Sequence, residues 1–205
     1  MVRTLPLSEA LKTLELPGLQ DNLFSSLGWF NVIMKAYRPK IFVKYIERDG
    51  RVDSYVVYTA VYNFLEWKLC VLSYCDYCDA HVRSAEDWKA IFDSFCQDYP
   101  RYRIAVRSLR DDHVRQCGCF QELSRERFHL LDIRPDLDAL WSHVKTTFRQ
   151  KVRQAAKKGV TVRLCARKEL WDFYLIHAKL RKNKYRIFAQ PFAFFEAIWD
   201  EFVVR

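Results

Sequence analysis

The stretch from Ile41 to Tyr62 limits the fold more than any other. Ile41-Phe42-Val43-Lys44-Tyr45-Ile46-Glu47 alternates as a strand, Asp49-Gly50 marks a turn, and Val52 to Tyr62 returns as a long β-branched and aromatic run. Both turn positions tolerate the positive φ that a tight hairpin needs, so the two runs are expected to pair as a β-ribbon. Helical patterns surround them. Leu23 to Tyr37 carries Trp29, Phe30, Ile33 and Met34, and Ala85 to Tyr99 carries Trp88, Ile91, Phe92 and Phe95 at amphipathic spacing. Leu69 to Tyr74 and Tyr102 to Ser108 read as further strands. Helices and strands alternate, so the expected class is α/β or α+β.

A second block is expected from Phe128. Phe128 to Ile133 reads as a strand and Pro135 as the start of a helix. Leu140, Val144, Phe148, Val152 and Ala156 then recur every fourth residue and build an apolar stripe. Lys145, Arg149, Arg153 and Lys157 follow one position later as a parallel basic stripe. Gly159 suits the left-handed residue that ends a helix, and Val160, Val162 and Leu164 alternate as a strand. Lys168 to Lys184 reads as an amphipathic helix. Gln190-Pro191 opens a last helix whose Phe192, Phe195, Trp199 and Phe202 form an apolar face that needs a covering partner.

Composition narrows the function. The 205 residues carry a formal net charge of +9, which favours anionic partners: phosphates, nucleic acid or an anionic membrane surface. No apolar run reaches the ~20 residues of a membrane-spanning helix, and the N-terminus lacks a signal-peptide pattern. Seven cysteines, odd in number and unevenly spaced, read as reduced thiols of a cytoplasmic protein. Cys75, Cys78, Cys117 and Cys119 form two close pairs that could bind zinc, but Cys-x-Cys spacing suits a zinc knuckle poorly, and no metal is expected. None of the five histidines sits in a catalytic motif, and five glycines could hardly supply a phosphate loop. His177 reads as a packed side chain. Asp76 and Asp79 follow a strand end, where carboxylates often face a cleft. Lys179, Arg181, Lys182, Lys184 and Arg186 add a second basic group suited to phosphate.

Three segments, in order, resemble the superfamily of Fem-type aminoacyltransferases and GNAT-like acyltransferases, which includes the peptidoglycan bridge-forming enzymes of bacteria. They are Gly28-Trp29-Phe30-Asn31-Val32-Ile33 with the ribbon after it, Thr146 to Val162 with its Lys-Gly-Val-x-Val ending, and Leu175 to Phe202 with Ala189-Gln190-Pro191-Phe192-Ala193-Phe194-Phe195. Ser73 to Asp79 sits where relatives carry a turn containing aspartate and tyrosine. The resemblance implies a GNAT-like domain, a mixed sheet flanked by helices, over 1–127 and the N-terminal part of a second over 128–205. It implies transfer of an acyl or aminoacyl group from a coenzyme A thioester or aminoacyl-tRNA to an amine, in cell-envelope or peptidoglycan metabolism, without a permanently bound cofactor. Catalysis there rests on positioning and carbonyl polarisation.

On that reading Arg107, Lys151, Arg153, Lys182 and Gln190 line the substrate cleft, and Asp76 and Asp79 orient or deprotonate the amine. The chain departs from the cell-wall ligases at Ile33, Gln190 and Phe194, where they carry lysine, arginine and tyrosine, and at Leu109, where they are acidic. It is therefore expected nearer the broader acyltransferase branch. Family members continue into strands that carry the acyl-donor loop, so the chain is expected to be a fragment, inactive alone, or completed by a partner protein. Two other classes fit the residues: a basic nucleic-acid-binding module, and a non-catalytic partner that docks through the Phe192/Phe195/Trp199/Phe202 face.

Overall fold

The computed structural model describes residues 1–62, 65–71, 75–77, 79–110 and 112–203. They fall into two compact units, Met1–Ser124 with Trp171–Arg205, and Arg125–Leu170. The first unit opens with β1 (Val2–Pro6) and α1 (Leu7–Thr13), followed by a 3-10 turn (Leu23–Ser25) and α2 (Leu27–Tyr37). Then come β2 (Ile41–Arg48), β3 (Arg51–Tyr62), β4 (Trp67–Val71), α3 (Ala85–Asp98), β5 (Arg103–Ala105) and α4 (His113–Gln116). The fold is α+β. Its five-stranded sheet has the order β1-β2-β3-β4-β5. The first three pairings are antiparallel, and β5 lies parallel to β4.

The Ile41 to Tyr62 ribbon forms as the sequence predicts. Arg48 pairs with Arg51 across a two-residue turn in which Asp49 (φ 52°) and Gly50 (φ 74°) are both left-handed, the geometry that matches strand twist. Side chains then alternate between the two faces of the sheet. Val43, Tyr45, Tyr55 and Val57 point towards Leu7, Ala10 and Phe30 of α1 and α2. Val56, Tyr58, Leu69 and Val71 point towards Trp88, Ile91 and Phe95 of α3. Helices α2 and α3 start on serine caps. Ser26 Oγ accepts the Trp29 N–H and Ser84 Oγ accepts the Asp87 N–H, which satisfies amides that have no intrahelical partner.

The second unit holds α5 (Leu137–His143) and α6 (Thr146–Lys157). Asp136 caps α5 by accepting the Ala139 N–H at 2.8 Å. α6 ends at Gly159 (φ 77°), and the Val160 N–H returns to the Ala155 carbonyl at 3.1 Å, the closure expected of a glycine-terminated helix. The strands expected at Phe128 to Ile133 and at Val160 to Leu164 are absent: both stretches lack regular structure, with Ile133 75% and Val162 96% exposed. Apolar alternation is necessary for a strand, but a ladder partner makes one, and neither stretch has such a partner among the described residues. Leu72 to Tyr74, the end of another expected strand, lies outside the described residues.

α7 (Leu170–Leu180) runs into a π-helical turn (Arg181–Tyr185), and α8 (Phe192–Ile198) into another (Trp199–Val203). The apolar face of α8 is covered within the first unit. Phe194 meets Trp29 at 6.0 Å and Tyr37 at 5.7 Å between ring centroids, while Phe192 and Phe195 pack against Trp171, Phe173 and Tyr174 of α7. Read from sequence as part of a second block beginning at 128, Trp171–Arg205 thus lies with Met1–Ser124, and the chain passes between units at Ser124/Arg125. Among the described residues no helix is long and apolar enough to cross a membrane.

Candidate functional site

Because β4 and β5 run parallel, the chain leaves both strands at the same edge of the sheet, the edge where open sheets tend to receive ligands. The segment after β4 carries Asp76 and Asp79, and the segment after β5 carries Arg107. Hydrogen bonds tie the two segments together. Arg107 Nη1 donates to the Cys75 carbonyl at 3.1 Å. Asp79 Oδ1 accepts from Ser108 Oγ at 3.0 Å, the Leu109 N–H at 2.7 Å and the Arg110 N–H at 3.0 Å. With three donors on one oxygen, Asp79 anchors the loop, and Asp76 is the carboxylate left to meet a ligand.

Asp76 and Arg107 line a pocket of about 220 Å³ together with Tyr37, Cys75, Gln190 and Phe194. Tyr37 and Gln190 are placed by helix boundaries. Tyr37 is the last residue of α2, which stops because Arg38 turns left-handed (φ 52°). Gln190 precedes Pro191, the residue that opens α8. Gln190 Oε1 lies 3.0 Å from His177 Nε2. With that nitrogen protonated, the imidazole donates to the amide oxygen and leaves the Gln190 N–H group for a ligand. Cys75 is buried, and its thiol is pushed up to about 12, first by desolvation and only partly offset by Arg107. It is therefore a neutral thiol near pH 7 and a poor nucleophile.

A second cavity of about 350 Å³ uses the same two loops, through Tyr77, Asp79, His81, Leu109 and Arg110. It is completed by Tyr55 and Val57 of β3 and by residues 18–25. The His81 ring stacks on Tyr55 at 5.4 Å, and its Nε2 is buried with no hydrogen-bond partner among the described residues. Burial, then Arg83, pushes its pKa down, so the imidazole is neutral at physiological pH. Sequence reasoning missed Asp21, His81 and Arg110. The nearest signal was Asp79, two residues before His81.

The remaining expected site residues stand elsewhere. Lys182 is exposed on the π-helical turn of the first unit and lines neither cavity. Lys151 and Arg153 are exposed on α6 of the second unit, where Lys151 Nζ lies 5.4 Å from the Phe148 ring centroid. Cys78 lies outside the described residues, and no group of three or more metal-ligating side chains gathers among those described.

No protein-family model matches the chain, and no curated protein matches it. Similar solved structures include the crystal structure of TTHA1254 from Thermus thermophilus, at 14% identity and a TM-score of 0.39, covering 65% of this chain and 99% of that one. A point mutant of the same protein gives 13% identity and a TM-score of 0.40 over the same shares. A likeness of that size carries no argument about function.

Proposed function

We propose that this chain transfers an acyl or aminoacyl group from an anionic donor, a coenzyme A thioester or aminoacyl-tRNA, to an amine. The observation that supports this reading is the meeting of Asp76, Arg107 and Gln190 in one pocket at the carboxyl ends of the parallel strands. Each has a role in such a reaction. The Arg107 guanidinium suits an anionic part of the donor. The Gln190 amide N–H suits the carbonyl oxygen, where negative charge grows as the amine attacks. Asp76 suits the proton the amine sheds. The amine nitrogen bonds to the carbonyl carbon, the donor's C–S or C–O bond breaks, and the leaving thiolate or ribose oxygen takes up a proton. Cys75, held neutral, leaves attack on the donor to the amine itself. The resemblance adds the setting: a cytoplasmic bacterial protein whose acceptor amine belongs to the cell envelope.

The test is acyl transfer from acetyl-coenzyme A to a panel of amines. The Arg107→Ala variant is expected to raise KM for the donor. Gln190→Ala is expected to lower kcat by about 100-fold, the size of effect seen when one oxyanion donor is removed. Asp76→Asn is expected to lower kcat by a comparable factor, chiefly at lower pH, where the amine is protonated. Turnover that is unchanged in all three variants would remove the pocket from the mechanism, and no transfer from either donor class would remove the reading.

A further inference from the structure

We infer that the cavity of about 350 Å³ between the loops after β4 and β5 and residues 18–25 is a subsite for a free α-amino acid, held by its ammonium and its carboxylate. The volume lies at the lower end of the roughly 300–1,000 Å³ range of small-molecule pockets, which is ample for an amino acid.

The polar groups on its wall narrow the chemistry. Tyr55 is already committed, because its hydroxyl donates to the Pro17 carbonyl at 2.8 Å. Asp79 Oδ1 is saturated by its three donors. Two charged side chains remain on the lining: the Asp21 carboxylate and the Arg110 guanidinium, neither with a hydrogen-bond or ion-pair partner among the described residues. Beside Asp79, whose charge is spread over its three donors, the wall thus offers one unpaired charge of each sign, which matches a zwitterion better than a simple anion or a simple cation.

The neutral His81 ring stands beside Asp21 and adds no second charge to the amine end. A Cβ at Gly18 would stand 3.1 Å from Asp21 Oδ2 and 3.5 Å from His81 Nδ1, so carboxylate and imidazole border one point of the wall, kept open by a glycine. An unprotonated nitrogen is the less costly occupant of the sealed Nε2 position, because a buried N–H without an acceptor is the dearer defect. That leaves the proton on Nδ1, a donor on the Asp21 side of the cavity, so the Asp21 carboxylate and not the ring accepts from the ammonium. Val57, Leu19 and the Tyr77 ring, itself braced edge-on by Phe24 at 5.3 Å, supply an apolar wall for a side chain.

The inference deepens the transfer reading by naming the amine, and it depends on that reading only in making the amino acid an acceptor. Its test is therefore binding without any acyl donor. Calorimetric titration of the full chain uses L-leucine and L-phenylalanine, their N-acetyl forms and their amides. The free amino acid is expected to bind saturably, and each blocked form at least tenfold more weakly. In Asp21→Asn the preference for a free amine is expected to vanish, and in Arg110→Gln the preference for a free carboxylate. Glu15→Gln, an exposed carboxylate away from the cavity, should leave both preferences intact.

Equal binding of free and blocked forms overturns the inference. So does the absence of saturable binding of both amino acids up to about 10 mM, beyond which little binding free energy remains. If a variant unfolds, the comparison of free and blocked ligands on the unaltered chain decides alone. A chain that binds the amino acid yet transfers no acyl group keeps this subsite and loses the transfer reading. Transfer to amines at rates indifferent to Asp21 and Arg110 does the reverse.

Discussion

Arg48 joins the end of the β-ribbon to the start of α3. Its guanidinium grips Asp87 through both carboxylate oxygens, with Nη1 to Oδ2 at 3.0 Å, and also contacts Asp53. Ser54 Oγ donates to Asp87 at 2.6 Å and accepts the Arg83 N–H at 3.1 Å, so a buried carboxylate is fully paired. Arg48, then Ser54, holds the Asp87 carboxyl below its ordinary range. Removing one partner of a buried ion pair costs about 3–5 kcal/mol, but Arg48 is half exposed and recovers part of its hydration. Asp87→Asn is therefore expected to cost about 2–3 kcal/mol at pH 7 by urea denaturation. The sign of the pH dependence follows from a depressed folded-state pKa. The contribution is complete above the unfolded value of about 3.9 and fades as pH falls through the folded one. The gap between the two proteins should thus shrink as pH falls below about 4, and a gap that widens there would refute the assignment.

Between elements, the contact of α2 with the chain's last turn is decided by one missing side chain. A Cβ at Gly28 would lie 3.0 Å from Phe202 Cε1 and 3.2 Å from Glu201 Cγ. Alanine favours a helix interior by up to about 1 kcal/mol, but less in a first turn, while overpacking typically costs about 1–3 kcal/mol. Gly28→Ala is expected to lose about 1 kcal/mol in thermal or urea melts, and to lose less in a Phe202→Ala background, where only the Glu201 contact remains. Equal losses in both backgrounds would show that Phe202 does not set the limit. Such contacts explain what the sequence could show. The β-ribbon was legible because period two and Asp49-Gly50 are local signals. β1 and α1 were not, because five and seven residues are too few to establish a period. Nothing in the strand pattern marks Lys44 as buried, yet it is 1% exposed, because α3 brings Ser94 and Asp98 to its ammonium at 2.8 and 2.6 Å. The site divides in the same way. Asp76, Arg107 and Gln190, which share one pocket, were singled out through ordered motifs, whereas Asp21, His81 and Arg110 come together only through the packing of three loops and belong to no local pattern.

At the scale of the whole molecule, chain order and packing order differ, and proteolysis reads that difference. Arg125 and Arg127 lie in an exposed stretch with no helix or strand among the described residues from Gly118 to Asp136. Arg134 also lies there, but it pairs with Asp132 and precedes Pro135, which protects its bond from trypsin. Exposed irregular chain opens at little free-energy cost, whereas the ribbon and α3 open only with much of the core, so limited trypsin should cut first at Arg125 or Arg127. The two products then carry a prediction of their own. Trp171–Arg205 sits on the C-terminal fragment, and its α8 aromatics pack against Trp29 and Tyr37 of the N-terminal one. Aromatic pairs contribute about 0.5–1.5 kcal/mol each beyond the apolar area they bury, so it is that buried area, with the pairs added, that must supply the roughly 8 kcal/mol of micromolar association. The nicked protein is expected to elute from gel filtration as one species and to separate only in denaturant. Substituting Trp29 by alanine should release the fragments without denaturant. First cuts inside β2, β3 or α3, or fragments that part at once, would mean that the last helix is not held on α2 in solution.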